Sequence, residues 1–556
     1  MLEKMTRAQK KWVDTIFHSL TEDEKIGQMV DERGPCIMSR GIQAVEWLKK
    51  YPVGCIFTGS EVIDSFSEKN GVPSTLQQMV SSADLKVPVL FNGDFENGIG
   101  GGIEGFTAMP RTMGLAATFS EKDYYDYGRI IGTEGRALNI RWGFGPVADL
   151  NLNRENPVTN IRSASDNPDH AIKVLKSIVK GMQDHGVAAC IKHFPGDGTD
   201  TRNQHYVTSH NVLSKKEWDQ MHGRVFRELI EAGVMSIMIG HIAFPAYEPE
   251  DCKKGLWRPA TCSKRIMTDL LRGELGFDGI IVSDALSMAG YLSWGDYESR
   301  ILDSFNGGVD IFLWPDPEKF FPLMRAALKD GRTSRKRLDE SVKRILAFKA
   351  MLGLIPEEIG KEKKVDFTAM LRENRKAAMR ISRDSITLLR NRDNILPLKL
   401  KKGARILLFF APNLPGPNKY LQKFADKLTA RGFRVTVAHS SDLEMLLSMI
   451  DTFDSVMYLS DANPQYGVYR GFENILWPYM RSMPQMKNPV MISFGTPYFL
   501  YDVASAPTYI NAYHDCDNSL DATIRAMFGE IPFKGKSPVS VPNCFRFGEG
   551  MKLKKE

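Results

Sequence analysis

Short apolar runs that end in polar or charged residues recur between residues 53 and 317, and helix-like stretches separate them. Continuous apolar strands that alternate with helices are typical of a parallel sheet covered by helices. Such units, repeated over roughly 300 residues, favour a (β/α)8 barrel over an open sheet, because barrels of this kind take ~250 residues or more. The runs are VGCIFTGSE (53–61), VPVLFNGDFE (87–96), IRWGFGPVADLN (140–151), VAACIKHFPGD (187–197), VMSIMIGHIAF (234–244), GIIVSDALS (279–287) and VDIFLWPDP (309–317).

Amphipathic segments between these runs predict the covering helices. Two examples are DHAIKVLKSIVKGMQDHG (169–186) and SKKEWDQMHGRVFRELIEAG (214–233). The second opens with Ser214 three residues before Glu217, which predicts a capping box at its start. Its closing residue, Gly233, predicts the helix end.

The pattern changes after residue 356, where a charged stretch that is poor in apolar residues predicts a linker over 357–371. A helix is predicted over 372–391, and strand–helix alternation resumes after it. We therefore predict an α/β chain with an N-terminal TIM-like (β/α)8 barrel over 1–356 and a C-terminal three-layer α/β/α sandwich over 372–556. The predicted strands of the sandwich are ARILLFFAP (404–412), FRVTVAHSS (433–441), SVMYLSDA (455–462) and NPVMISFGTP (488–497).

Composition narrows the class of protein. Hydrophobic residues make up 43% and charged residues 25%, which is the balance of a soluble globular protein. Lys+Arg (73) and Asp+Glu (67) nearly cancel, and no basic cluster with interleaved aromatics predicts a nucleic-acid partner. No run approaches the ~18 apolar residues of a membrane span, and the N-terminal residues lack the apolar segment of a secretory leader. Because the seven cysteines are scattered and lack C-x-x-C spacing, we expect a cytoplasmic protein without a disulfide framework or structural zinc.

Polar residues follow the predicted strands at their carboxyl ends. In a (β/α)8 barrel these ends gather around one mouth, where active sites lie. Cations and carboxylates in near balance suit a small, neutral, hydroxyl-rich ligand such as a sugar, so we expect a small carbohydrate as the partner. The residues at this predicted rim are Asp94, Glu96, Asp149, Arg162, Lys192, His193, His205, His241 and Asp284.

Metal and cofactor sites have little support in the sequence. The histidines of the rim lack the i, i+4 spacing of a helical metal site, and Lys192 beside His193 would repel a cation. The glycine-rich stretch NGIGGGIEG (97–105) has Ile103 where a dinucleotide fingerprint requires its third glycine. We therefore predict neither a metal nor a cofactor.

Asp284 permits two interpretations from residue type alone. A carboxylate at the end of a barrel strand can act as a nucleophile towards an anomeric carbon. The same position, directly before a helix-like run, also suits a helix N-cap.

Several separate stretches resemble glycoside hydrolase family 3, in the right order and over nearly the whole chain. They are VLFNGDFENG (89–98) with EGFTAMP (104–110), NPVTNIRSASDNP (156–168), KHFPGDG (192–198) and VSDALSMAG (282–290), followed in the C-terminal part by RISRDSITLLRNRDNILPL (380–398) and FGEIPFKGKSPVSV (528–541). The chain is most similar to the bacterial β-N-acetylglucosaminidases of that family. The resemblance implies a barrel followed by an α/β sandwich, with the active site at the barrel mouth.

The resemblance also implies roles for individual residues. Asp284 stands at the nucleophile position, and Asp94, Arg162, Lys192 and His193 stand where sugar hydroxyls are bound. We add Glu96 and His241 from the rim to the expected substrate-binding set.

Those relatives carry an Asp-x-His dyad as general acid/base, and this chain departs from it. His205 falls at the position of the histidine, but Asn203 stands where the aspartate belongs. Asparagine can still accept the Nδ1–H of the ring and fix its tautomer, but it adds no charge. Asp197 or Asp200, on the same loop, is the alternative source of that charge.

Together these features predict a retaining β-glycosidase that releases terminal non-reducing β-N-acetylglucosamine through a glycosyl-enzyme on Asp284, with His205 and Asn203 completing the catalytic set. A histidine acid/base also leaves room for an anionic acceptor, so a phosphorylase is an alternative. A β-glucosidase whose acid is a glutamate of the second domain is another. The uncharged Asn203 leaves open a third, a sugar-binding homologue with impaired catalysis.

Overall fold

The computed structural model describes residues 5–59, 74–356, 365–411, 419–438, 443–461 and 483–553. The chain divides into two compact units. The barrel unit comprises Met1–Thr107, Tyr125–Leu150 and Leu175–Asn374, and the C-terminal unit comprises Ala108–Tyr124, Asn151–Val174 and Arg375–Glu556. Two segments of the N-terminal half, 108–124 and 151–174, thus group with the C-terminal unit.

An eight-stranded parallel sheet forms the barrel unit, in the order β10-β1-β2-β3-β4-β5-β7-β9. A parallel bridge between Val282 and Ile311 links the two ends of this order and brings the sheet to near closure. The (β/α)8 prediction is confirmed. The strands of this unit are β1 Val30–Arg33, β2 Cys55–Phe57, β3 Leu90–Gly93, β4 Ile140–Gly143, β5 Ala188–Phe194, β6 Ser209–His210, β7 Ser236–Ile239, β8 Ile242–Ala243, β9 Ile280–Ser283 and β10 Phe312–Leu313.

Strand β1 has no counterpart among the predicted runs. Its sequence, VDER, contains one apolar residue, yet it pairs in parallel with β10 and β2. Asp31 of this strand is fully buried, and its Oδ2 accepts a hydrogen bond from Asn92 Nδ2 at 2.6 Å. A strand whose buried face is polar produces no apolar run, so the hydrophobic pattern does not reveal it.

Helices separate the strands, as the pattern predicted. The capping box at Ser214 is confirmed, since Ser214 Oγ accepts the Glu217 N–H and the Glu217 carboxylate accepts the Ser214 N–H. The helix predicted over 214–233 is broken at Met221, whose backbone is not helical, into two shorter helices. The α-helices that begin before residue 360 are Arg7–Ser19, Glu22–Gln28, Gly34–Met38, Ala44–Lys50, Thr75–Ser82, Thr112–Ala116, Glu121–Ala137, Pro168–Asp184, Lys215–Gln220, His222–Glu231, Pro249–Lys253, Ala289–Leu292, Tyr297–Gly307, Pro317–Asp330 and Arg335–Met351, and Arg265–Glu274 is π-helical.

A lysine from the helix Arg335–Met351 ties together the amino ends of three barrel strands. Lys349 is fully buried, and its Nζ donates to Gln28 Oε1 at 2.7 Å, to the Gly54 carbonyl at 2.7 Å and to the Pro88 carbonyl at 2.9 Å. These acceptors precede β1, β2 and β3. Burial lowers the pKa of Lys349 to about 8.

The C-terminal unit contains a six-stranded sheet in the order β11-β16-β15-β14-β12-β13, in which only β11 runs antiparallel to its neighbour. Successive residues of β12 face different clusters: Leu407 packs in one hydrophobic core and Leu408 in the other. Two cores on opposite faces of one sheet give the three-layer sandwich that was predicted. Its elements are β11 Thr387–Asn391, β12 Arg405–Ala411, β13 Arg434–Val437, β14 Ser455–Ser460, β15 Pro489–Ser493 and β16 Thr508–Asn511, with helices Phe367–Ser385, Lys419–Ala430, Leu443–Ser448, Phe499–Asp502 and Asp517–Met527.

The core on one face of this sheet includes residues from far upstream. Met113, Ala117 and Ile161 pack in the same buried cluster as Leu407 and Tyr458. The Lys536 N–H donates to the Ala117 carbonyl at 2.9 Å, and Ser165 Oγ donates to the Pro538 carbonyl.

The helix predicted over 372–391 is wrong in its second part. The helix begins at Phe367 and ends at Ser385, and Thr387–Asn391 forms strand β11. Leu388 and Leu389 continue an apolar periodicity that either element permits, and pairing with β16 decides for the strand. Residues 60–61, 357–364, 412, 439–441 and 462 of predicted segments lie outside the described residues. No helix of the described chain is both long and apolar enough to cross a membrane.

Candidate active site

Lys192, near the carboxyl end of β5, lies between two carboxylates. Its Nζ is 2.7 Å from Asp94 Oδ1 and 2.7 Å from Glu96 Oε1. Lys192 and Glu96 are buried, whereas the Asp94 side chain is 52% exposed. The three side chains are therefore charged groups that form strong hydrogen bonds, and Asp94 is the one exposed to solvent.

His193, the next residue, is held by a buried carboxylate. Its Nδ1–H donates to Asp149 Oδ2 at 2.7 Å, and Asp149 Oδ1 accepts the backbone N–H groups of His193 at 3.0 Å and Asp197 at 2.8 Å. Burial alone raises the pKa of Asp149, but His193 and these hydrogen bonds outweigh it and lower that pKa. The ring is thereby fixed with its Nε2 3.8 Å from Asp284 Oδ2.

Asp284 directly follows β9 and is anchored through its backbone. Its N–H donates to the Ile239 carbonyl at 3.0 Å, and its Oδ1 accepts the Ala285 N–H at 2.7 Å. Burial acts to raise the pKa of Asp284, but interactions with His193 and His241 and the Ala285 hydrogen bond lower it. The carboxylate is therefore ionised at neutral pH, as a nucleophile must be.

The helix N-cap interpretation of Asp284 does not fit the geometry. The next helix, Ala289–Leu292, has Met288 at its N-cap, and no side chain caps it. Asp284 Oδ1 instead accepts the N–H of its own neighbour, Ala285.

His205 lies in the β5–β6 loop, residues 195–208, and Asn203 orients it. Asn203 Oδ1 accepts the His205 Nδ1–H at 2.7 Å and the His205 backbone N–H at 2.9 Å. Because Nδ1 holds its hydrogen for Asn203, Nε2 is the ring atom available for proton transfer. The amide therefore provides the orienting contact that was predicted for it.

Asp200, one of the two alternative sources of charge, is engaged elsewhere. Its Oδ2 accepts Arg202 Nε at 2.7 Å and the His210 N–H at 2.8 Å.

The β5–β6 loop folds against the chain that follows Asp284. The His205 carbonyl accepts the Ala289 N–H at 3.0 Å, and the Gln204 carbonyl accepts the Gly290 N–H at 3.1 Å. His205 is also among the groups that lower the pKa of Asp284. The loop thus brings its histidine to the strand end that bears Asp284.

His241 and Arg162, the two remaining predicted binding residues, make hydrogen bonds of their own. His241 is fully buried; its Nε2 donates to the Ala285 carbonyl at 3.0 Å, and its Nδ1 lies 2.9 Å from Thr261 Oγ1. Arg162 belongs to the C-terminal unit, and its Nη1 donates to the Val158 carbonyl at 2.9 Å.

One buried residue of the loop, Gln204, was not selected from the sequence. Its side chain contacts a backbone group, and a contact of this kind cannot be predicted from the pattern of residue types. The one feature of the sequence that could have singled it out is its place between Asn203 and His205.

Among the described residues, no group of three or more His, Cys, Asp or Glu side chains is arranged to hold a metal ion.

A family model and known relatives match this chain. The model of the glycosyl hydrolase family 3 N-terminal domain matches residues 21–348. A β-N-acetylglucosaminidase/β-glucosidase from Cellulomonas fimi is 32% identical over 566 residues, covering 95% of this chain and 95% of that protein. A β-hexosaminidase A from Pseudoalteromonas piscicida is 30% identical, covering 64% of this chain and 62% of its own.

Two solved structures share the fold over nearly all of the chain. A β-glucoside phosphorylase, BglX, bound to 2FGlc matches with a TM-score of 0.83 and 28% identity, covering 96% of this chain and 97% of that one. A family 3 β-N-acetylglucosaminidase from Paenibacillus sp. str. FPU-7 matches with a TM-score of 0.78 and 26% identity, covering 94% and 99%. Because the family model spans more than half of the chain and the Cellulomonas fimi relative nearly all of it, the chain belongs to glycosyl hydrolase family 3 and is a glycoside hydrolase.

Proposed function

We propose that the chain is a retaining β-glycosidase that releases terminal non-reducing β-N-acetylglucosamine, with Asp284 as nucleophile and His205 as general acid/base. The observation that supports it is the ionised Asp284 at a barrel strand end, with the His205 loop folded against the chain that follows it. The Cellulomonas fimi relative, named for both β-N-acetylglucosaminidase and β-glucosidase activity, supports the substrate class.

In the first proposed step, an Asp284 oxygen attacks the anomeric carbon and forms an ester with it. The bond from that carbon to the leaving oxygen breaks, and His205 Nε2 gives its proton to the departing oxygen. Asn203 supports this transfer because it occupies Nδ1–H and so directs Nε2 towards the reaction.

In the second step, His205 Nε2 takes a proton from water while the water oxygen attacks the anomeric carbon. The bond from that carbon to Asp284 breaks, and the carboxylate and a protonated His205 are regenerated. Two displacements at one carbon retain its configuration.

The remaining residues have proposed roles in binding and positioning. Lys192, Asp94 and Glu96 offer hydrogen bonds to sugar hydroxyls, and His193 reaches from Asp149 towards the reacting carbon. The resemblance adds Arg162 to the proposed sugar ligands. For His241 we propose a positioning role, because its ring nitrogens contact Ala285 and Thr261.

Aryl β-glycosides of N-acetylglucosamine and glucose test the proposal. The wild type is expected to cleave the N-acetylglucosaminide with retention, which proton NMR of the first-formed sugar reports. Asp284→Ala should abolish turnover and leave the unfolding temperature within a few degrees. Activity of Asp284→Ala within tenfold of wild type would reject Asp284 as the nucleophile, and sugar binding without turnover in the wild type would indicate an impaired homologue.

A second candidate, phosphorolysis, is favoured by the charge around His205. Asn203 is uncharged and Asp200 is paired with Arg202, so this loop presents less negative charge to an incoming anion than a carboxylate dyad does. The similar structure of a β-glucoside phosphorylase supports it as well. Release of sugar 1-phosphate at millimolar phosphate would establish this activity, and unchanged release of free sugar would exclude it.

A further inference from the structure

We propose that Gln204 is a positioning residue that fixes the distance between His205 and Asp284 by anchoring the β5–β6 loop to the end of β7. The proposal rests on the acid/base role proposed for His205.

The anchor is a hydrogen bond from the backbone to the Gln204 side chain. Gln204 is fully buried, and its Oε1 accepts the His241 N–H at 2.8 Å. This contact fixes the orientation of the amide, because a flipped group would place a second donor against the His241 N–H. The neighbouring residues in sequence, Asn203 and His205, contact each other through their side chains.

The strand end that Gln204 reaches also positions Asp284. The Asp284 N–H donates to the Ile239 carbonyl at 3.0 Å, two residues before His241. The His241 ring donates from Nε2 to the Ala285 carbonyl at 3.0 Å. One short series of hydrogen bonds therefore links the residue before His205 to the residues that hold Asp284.

Backbone contacts limit the effect of removing this anchor. The Gln204 and His205 carbonyls accept the Gly290 and Ala289 N–H groups, and no side-chain substitution deletes these bonds. We therefore expect the loop to stay folded without the amide but to hold His205 less accurately. A misplacement of about 1 Å at a reacting group can cost about a hundredfold in rate.

Gln204→Met tests this, because methionine has a similar length and its thioether sulfur is only a weak acceptor for the His241 N–H. On a disaccharide substrate, whose leaving oxygen needs a proton, kcat should fall by about ten- to a hundredfold with little change in KM. On a dinitrophenyl glycoside, whose leaving group departs without a proton, kcat/KM should change by less than about threefold, because kcat/KM reports formation of the glycosyl-enzyme and not its hydrolysis.

The matched control is Gln183→Met, because the Gln183 side chain, on the helix Pro168–Asp184, contacts the opposite end of β7. Gln183 Oε1 accepts the Met235 N–H at 3.1 Å, just before β7, and its Nε2 donates to the Gly233 carbonyl at 3.1 Å. This variant loses comparable backbone contacts far from the loop. We expect its unfolding temperature to fall about as far as that of Gln204→Met, whereas its ratio of kcat/KM values on the two substrates should equal that of the wild type.

A double-mutant cycle with His205→Ala completes the test. If Gln204 acts through His205, adding Gln204→Met to His205→Ala should cause no further loss on the disaccharide. Equal losses on both substrates, or multiplicative losses in the double variant, would overturn the role of Gln204. If His205→Ala itself shows no leaving-group selectivity, the acid/base assignment fails and this proposal fails with it, whereas selectivity in His205→Ala alone rejects only the role of Gln204.

Discussion

Two histidines of the site are oriented by chemically different partners. His193 donates to the buried carboxylate of Asp149, whereas His205 donates to the amide oxygen of Asn203. Both partners fix a ring tautomer, but the carboxylate also attracts a positively charged ring, and the amide does not. In the proposed mechanism, the charge at position 203 therefore controls how readily His205 donates its proton.

Asn203→Asp is expected to keep the hydrogen bond to His205 Nδ1 and to add a negative charge beside the ring. That charge stabilises the imidazolium, so the limb of the kcat/KM profile that the general acid sets should move to higher pH. Profiles on a disaccharide substrate measure the shift. Asn203→Ala, which removes the orienting contact, should lose activity at every pH, and an unshifted profile for Asn203→Asp would contradict the assignment.

Lys192→Ala should lower kcat/KM by about ten- to a hundredfold, because hydrogen bonds with a charged partner contribute about 1.5–3 kcal/mol each. Lys180→Ala is the control, since Lys180 pairs with Asp184 on the surface, outside the strand ends. Unchanged kinetics of Lys192→Ala on an aryl glycoside would remove Lys192 from the pocket.

At the scale of elements, the β5–β6 loop leads into β6 through a compact polar cluster. Arg202 donates from Nη2 to His210 Nδ1 at 2.7 Å and from Nε to Asp200 Oδ2 at 2.7 Å, and the His210 ring packs on Trp257. Burial and then the Arg202 guanidinium lower the pKa of His210, while Asp200 acts in the opposite direction. The contact with Arg202 requires a neutral ring, because Nδ1 must accept.

Acid should therefore weaken this part of the fold. Since the pKa of His210 is lower in the folded than in the unfolded chain, its contribution is complete above about pH 6.5 and is lost as the pH falls through the lowered value. His210→Phe keeps a ring on Trp257 and should show a smaller loss of unfolding temperature between about pH 8 and pH 5. The control is His18→Phe at an exposed position; an identical pH dependence in wild type and His210→Phe would contradict the prediction.

At the scale of the molecule, the barrel unit depends on Lys349 at the amino ends of its strands. Lys349→Met leaves three buried acceptors without their donor and should cost ~3 kcal/mol or more of unfolding free energy. Because burial lowers the pKa of Lys349 to about 8, the unfolded chain binds its proton more tightly, and wild-type stability from this group rises from about pH 8 upward. The difference between the two proteins should therefore widen over that range.

Chemical denaturation at several pH values measures this difference. Lys336→Met, on the same helix with a side chain 87% exposed, should be nearly neutral throughout. A Lys349→Met protein as stable as the wild type would show that the three acceptors find other partners.

The sequence predicted seven of the eight barrel strands, because a strand buried on both faces appears as an apolar run. It did not predict β1, whose Asp31 lies in the barrel, nor the change from helix to strand after Ser385, where one apolar periodicity suits both elements. At the site, the position of Lys192 and His193 near the carboxyl end of a strand predicted that they would lie among other polar side chains. The anchoring by Gln204 was not predictable, since bonds from a side chain to a distant backbone depend on the finished fold.

Met113, Ala117 and Ile161 have a consequence for how the chain acquires its structure during synthesis. These residues leave the ribosome long before β12 and β14, which supply other residues of the same core. Domains commonly fold in order from the N-terminus. Here, however, the C-terminal unit includes the segments 108–124 and 151–174, which lie within the sequence of the barrel unit. The two units are therefore not separable by a single cut, and completion of the C-terminal unit waits until its later strands have been synthesised.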